Sequence, residues 1–168
     1  MPLTKVALDR SRTLDDPVAP GLSEYLEEHV DEERGHDDDL LADIALLGVA
    51  SEDVRATMPS PAVAALVGAQ YYWILHHHPI AFLGYVALME GYPPTPELIE
   101  TLAARTGFPR ESFRTFAEHG ELDPGHRDRL DETLDALPLT PAHETTMAIS
   151  ATATAALATR AVEEVLAR

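Results

Sequence analysis

At four places beyond residue 21 a helix-capping residue is followed at once by proline: Ser60-Pro61, Thr95-Pro96, Asp123-Pro124 and Thr140-Pro141. A cap oxygen accepts from the first free backbone N–H groups, and proline suits the first helical position, whose N–H lacks a partner anyway. Each pair therefore reads as a helix start. The first leads through Val63, Leu66, Tyr71, Tyr72, Trp73 and Leu75, and Pro79 should kink this helix, because Ile80 to Glu90 stays apolar. The second runs to about Gly107, the third to Leu137 and the fourth to about Leu166. Upstream, Leu22 to about Leu47 reads as one helix on the spacing of Leu26, Val30, Leu40, Leu41, Ile44 and Leu47, stopped by Gly48. Ser51 opens a short helix, and Pro109 begins one that reaches His119. Strand alternation and hairpin signals are missing. The expected fold class is all-α, a helical bundle over residues 22–168. Residues 1–21, closing in Asp15-Asp16-Pro17-Val18-Ala19-Pro20-Gly21, read as an N-terminal tail or incomplete element.

At 168 residues with 45% hydrophobic content the chain is long enough to bury one core. Its formal net charge of -17, from 29 acids against 12 Lys and Arg, repels nucleic-acid phosphates and attracts divalent cations. Cysteine is absent, which excludes thiolate nucleophiles, disulfides and cysteine-held zinc or iron–sulfur sites. No apolar run approaches the ~20 residues that cross a bilayer, and the start of the chain does not read as a signal peptide. A cytoplasmic protein with no membrane partner is expected.

Three stretches offer nitrogen and oxygen ligands. His119, Asp123 and His126 lie in one short segment, spaced H-x-x-x-D-x-x-H. Glu33-Arg-Gly-His36 places a carboxylate three residues ahead of a histidine, with Glu32 and His29 as further donors on the same helical face. Glu90 is the only ionised group in a long apolar run, so it is either wet at a helix end or buried beside a compensating charge. Each stretch also has a plain structural reading: a solvated acidic face, a helix end, or an aspartate capping the helix at Pro124. Together they resemble the acid-x-x-His pairs with which bundles hold paired iron or manganese. His76, His77 and His78 are consecutive and point in different directions, so they read as core or pocket residues, with Tyr72, His76 and Tyr85 as candidate substrate contacts. His143 is set aside on the same footing.

The order Glu33-x-x-His36, Glu90, His119-x-x-x-Asp123-x-x-His126 resembles the haem-oxygenase-like di-iron oxidases and oxygenases. These iron-containing redox enzymes share a superfamily with thiaminase-like and pyrroloquinoline-quinone-synthase-like proteins. The resemblance covers roughly residues 22 to 160. It implies a seven-helix haem-oxygenase-like fold, two Fe2+ ions held by those three carboxylates and three histidines, and activation of O2. Some members carry glutamate seven residues before the first ligand histidine, where this chain has His29. Glu32 and His29 are therefore alternates to Glu33. The family also has more than one helix ahead of that point, whereas about twenty residues stand there. The expectation is that front helices are missing, through a shortened chain or a partner subunit that covers the face. Thiaminase-like chemistry lacks its cysteine here, and haem oxygenase chemistry lacks its early proximal histidine.

The function this implies is O2-dependent oxidation of a small molecule such as an amino acid, a fatty acid or a related metabolite. The expected protein is a homo-oligomer or heteromer, with manganese or zinc as other possible metals. Two alternatives stand beside it: a non-catalytic helical partner of the same fold, and a single-metal hydrolase.

Overall fold

A computed structural model describes residues 2–167, and all of its regular structure is helical. In order these are α1 Pro2–Ser11, α2 Ala19–Glu32, α3 His36–Ala45, α4 Ser51–Ala56, α5 Pro61–His76, α6 Ala81–Met89, α7 Pro96–Thr106, a 3-10 turn Arg110–Phe113, α8 Arg114–Ala136 and α9 Pro141–Leu166. Three of the four cap–proline pairs start helices as expected. The hydroxyls of Ser60, Thr95 and Thr140 accept from Val63 N, Leu98 N and His143 N.

The fourth pair does not. α8 runs unbroken through Asp123-Pro124, so His119, Asp123 and His126 sit at i, i+4 and i+7 on one face. The helix expected over Leu22–Leu47 is instead two, divided by a turn in which Gly35 adopts φ 99°, a left-handed conformation glycine takes at little cost. Pro79 ends α5 rather than kinking it. α6 begins anew after a tight reversal in which His78 Nδ1 accepts the Ile80 N–H at 3.0 Å. α4 also departs in detail, since its N-cap is Ala50 and Ser51 lies inside the helix.

Within the stretch expected as a tail or an incomplete element, residues Pro2–Ser11 form a helix. Its buried face is Thr4, Ala7, Leu8 and Ser11, half of it hydroxyl, which is why no apolar period was readable there. Ser11 is satisfied by the Leu8 carbonyl at 2.8 Å and Ser23 Oγ at 2.7 Å. The core lies between α1, α2, α5, α6, α8 and α9 around Leu22, Leu26, Ile74, Ile80, Phe82 and Leu83. α6 and α9 meet at Gly84, where a Cβ would stand 2.2 Å from the Met147 carbonyl oxygen. Between α5 and α9 the fully buried Gln70 donates to Thr154 Oγ1 at 3.1 Å and accepts from Ser150 Oγ at 3.3 Å.

Asp16 ties the α1–α2 link to the starts of α6 and α9. Its Oδ2 lies 3.4 Å from His143 Nε2 and 3.7 Å from His78 Nε2, while its Oδ1 accepts the Val18 N–H at 2.9 Å. These three side chains bring possible ligand atoms within 4.8 Å of one another. Their hydrogen bonds argue against a metal. Nδ1 of His78 accepts from Ile80 N and Nδ1 of His143 from Thr140 N, so the proton of each neutral ring is on Nε2, facing Asp16. The cluster is a polar clasp. No helix among the described residues is long and apolar enough to cross a membrane.

Candidate metal centre

The turn between α2 and α3 delivers Glu33 and His36, the C-cap of α6 delivers Glu90, and one face of α8 delivers His119, Asp123 and His126. All six converge between these elements. Glu33 stands in the middle. One of its oxygens, Oε2, is 3.0 Å from His36 Nδ1, and donor atoms of Glu33, His36 and His119 lie within 4.8 Å of one another. Its other oxygen, Oε1, faces His126 Nδ1 at 3.9 Å.

That second side of Glu33 holds the most informative atoms. Glu33 Oε1, Glu90 Oε2, Asp123 Oδ1 and His126 Nδ1 are all buried without a hydrogen-bond partner. His126 Nδ1 lies 3.7 Å from Glu90 Oε2 and 3.8 Å from Asp123 Oδ1, so the four point into one space but stand too far apart to bond. Buried polar atoms left unpaired are rare and costly, and three carboxylate oxygens gathered around an imidazole nitrogen make a cradle for a cation. The donors are all nitrogen or carboxylate oxygen, the mix that suits non-haem iron or manganese.

The local hydrogen bonds leave lone pairs where such ions would need them. His119 Nδ1 donates to the Thr115 carbonyl at 2.8 Å, so its Nε2 is unprotonated in the neutral ring. Thr115 is itself held, because Asp43 Oδ2 accepts from both its N–H and its Oγ1 at 2.7 Å. Asp43 is buried on α3 with Arg114 at 3.5 Å. Sequence reasoning passed over both: Thr115 stands one turn before His119, but nothing in the chain pairs it with Asp43, 72 residues away. Replacing Asp43 with alanine should cost about 2 kcal/mol in urea unfolding by orphaning two donors. It should also weaken metal binding on the His119 side by roughly 10-fold. Asp43→Asn, which keeps an acceptor, should recover much of both.

Burial sets the charge states. Glu90 is pushed up to about 8, first by burial and then by Glu33, Asp123 and Glu32. His29, buried on α2 with Nε2 3.4 Å from Glu90 Oε1, is held down to about 4, again chiefly by burial. Asp123 is also raised, by burial foremost. His29 and Glu32, the alternates, thus border the cradle, with Glu32 Oε2 4.0 Å from His126 Nε2. Tyr25 stacks on His29 at 5.7 Å, and its buried hydroxyl has no partner; burial and then Glu90 raise its pKa. Its position four residues before His29 is the one sequence signal that could have found it.

A carboxyl with a raised native pKa favours the metal-free fold fully below about pH 4.5, and that contribution is lost as pH rises through about 8. Cation binding must displace that proton. At pH 7, iron uptake should therefore release close to one proton from Glu90, and at pH 9 almost none, as read by calorimetry in buffers of different ionisation enthalpy. Equal release at both values would show that Glu90 is not the group displaced.

Two chambers adjoin the cluster, with Met89, His119 and Asp123 lining both. The first, about 410 Å³, is walled by Leu3, Tyr71, Phe82, Tyr85 and Val86 and reaches His29, Glu33 and Glu90. The second, about 610 Å³, lies against α7 and the loop before it. Of the expected pocket residues Tyr85 lines the first chamber, whereas Tyr72 and His76 are exposed to solvent outside it, because the α5 face toward the cluster carries Val67 and Tyr71.

The sequence pattern of a family described as iron-containing redox enzymes matches residues 10–161. The chain belongs to that family. As an iron-containing redox enzyme it has the expected architecture: its structure is similar to a crystal structure of a domain of unknown function with a heme oxygenase-like fold from Shewanella denitrificans OS217. The TM-score is 0.84 at 23% identity, over 98% of this chain and 71% of that one. No curated protein matches this iron-containing redox enzyme. Family membership implies iron as the metal, and the nitrogen and oxygen cradle described above is chemically suited to it.

Proposed function

We propose that this protein binds two iron ions, that Glu33 would be a ligand to each, and that it uses O2 to oxidise a small molecule. The observation that supports the reading is the convergence of four buried, unpartnered donor atoms on one side of Glu33, with His36 and His119 on the other. On this reading Glu33, His36 and His119 hold one ion, and Glu33, Glu90, Asp123 and His126 hold its neighbour.

Bound iron supplies the reduction of O2 and the oxidising power. The chain does the rest. The Thr115 carbonyl fixes the ring of His119 with its lone pair inward. Glu90, which burial keeps protonated, would release that proton to solvent on cation binding and face the cation as a carboxylate. Phe82, Tyr85 and Val86 keep the approach apolar, which limits water around reactive groups.

Anaerobic addition of ferrous iron followed by air tests the proposal. The expected result is uptake near two ions per chain and an absorption change that requires O2. Failure to take up iron, or a spectrum indifferent to O2, would overturn it.

A further inference from the structure

We infer that Asp16, His78 and His143 form an acid-sensitive latch, which holds α1 on the bundle at neutral pH and releases it when a proton reaches either ring.

Each ring already uses both nitrogens. Nδ1 of His78 accepts the Ile80 N–H at 3.0 Å, Nδ1 of His143 accepts the Thr140 N–H at 3.3 Å, and both Nε2 atoms face Asp16 Oδ2. A second proton can go only on Nδ1, where it would meet a backbone N–H, donor against donor. A charged ring must therefore drop its bond to the residue that opens α6 or α9 and turn within the clasp. The ring centroids are 4.9 Å apart, so two cations would have to share one carboxylate. Nε2 of His78 is buried without a bond partner, 3.7 Å from Asp16, so little holds that ring once its Nδ1 bond is lost.

Burial foremost holds the His78 pKa below its usual 6.5; His143 of α9, His77 at the C-cap of α5 and Arg10 of α1 add to this, and Asp16 opposes it. α6 carries no charged residue. Asp16 is itself held below its usual value, chiefly by the Val18 N–H, so it stays ionised while the ring titrates. A base with a lowered native pKa favours the fold fully above about pH 6.5, and that contribution is lost as pH falls through the native value.

α1 depends on this tether because its own grip is small. Its buried face is Thr4, Ala7, Leu8 and Ser11, set against α2 and α5. Apart from the clasp, Ser11 Oγ meets Ser23 Oγ, and an exposed ion pair joins Arg12 to Glu27. Pro2, Leu3 and Thr4 wall the first chamber, so release of α1 would widen it.

Hydrogen exchange of the full-length chain, read by mass spectrometry and corrected for the intrinsic effect of pH, tests the latch. Between about pH 7.5 and 5.5 the protection of residues 2–18 should fall at least tenfold, while the interiors of α6 and α9 keep theirs. His78→Asn, whose amide oxygen can accept the Ile80 N–H but takes no proton, should cut that loss by about threefold. Adding His143→Asn should remove it. The other histidines are common to all these proteins, so the difference isolates the clasp. Should the double variant fold poorly, the two single variants decide. Protection of α1 that is equal at both pH values, a loss undiminished by the asparagine variants, or loosening spread evenly over the bundle would overturn the inference.

Discussion

Alanine at Glu33 should lower iron binding by more than about 100-fold, beyond the effect of losing an outer hydrogen-bond partner. Glu33 is the side chain common to both donor groups: Oε2 meets His36 and Oε1 faces His126. Its removal opens both positions at once. His36→Ala should behave differently, sparing the group formed by Glu90, Asp123 and His126 and leaving about one ion per chain. Iron measured after anaerobic loading and desalting separates the two variants. The metal-free fold should tolerate Glu33→Ala, because Glu33 is one of the charges that force Glu90 to keep its proton. Thermal unfolding without metal should therefore be unchanged or slightly improved. An E33A protein that retains a full complement of iron would show that the carboxylate is not shared.

The largest effect on stability is expected at Gly84. In most helices glycine to alanine gains about 0.5–1 kcal/mol, since glycine is the more flexible residue when unfolded. At Gly84 the new methyl would sit 2.2 Å from the Met147 carbonyl oxygen and 3.1 Å from Ala151 N, both backbone atoms that cannot rotate away. α6 and α9 would have to part along their shared face. The expected loss is about 3 kcal/mol, or roughly 10 °C in Tm. Gly68 in α5 provides the control. A Cβ there meets nothing within 4 Å, so Gly68→Ala should stabilise the protein. Because α6 ends at Glu90, Gly84→Ala should also displace that carboxylate and reduce iron uptake.

The helical class was legible because capping chemistry is local. Ser60, Thr95 and Thr140 announce their helices through a hydroxyl and a proline, and both work within four residues. The same rule misled at Asp123-Pro124. Sequence cannot tell an aspartate turned back onto its own helix from one turned into the core, and here the side chain is buried toward Glu33 and His126. The division at Gly35 was hidden for a related reason, since a continuous helix and a left-handed glycine turn both keep Glu33 near His36. The six candidate donors were readable as residue types at suggestive intervals. Their convergence was not, because it depends on α2, α3, α6 and α8 meeting. Asp43 was invisible, since its hold on Thr115 exists only across the α3–α8 contact.

Pro124 has a mechanical consequence. Proline offers no N–H to the carbonyl of Gly120, so α8 lacks one rung of its ladder between His119 and His126. A rod with one strut removed gives first at that point. The separation of the two ends of the donor row can thus adjust to what they grip, by a slight flexing of one helix and with neither half unwinding.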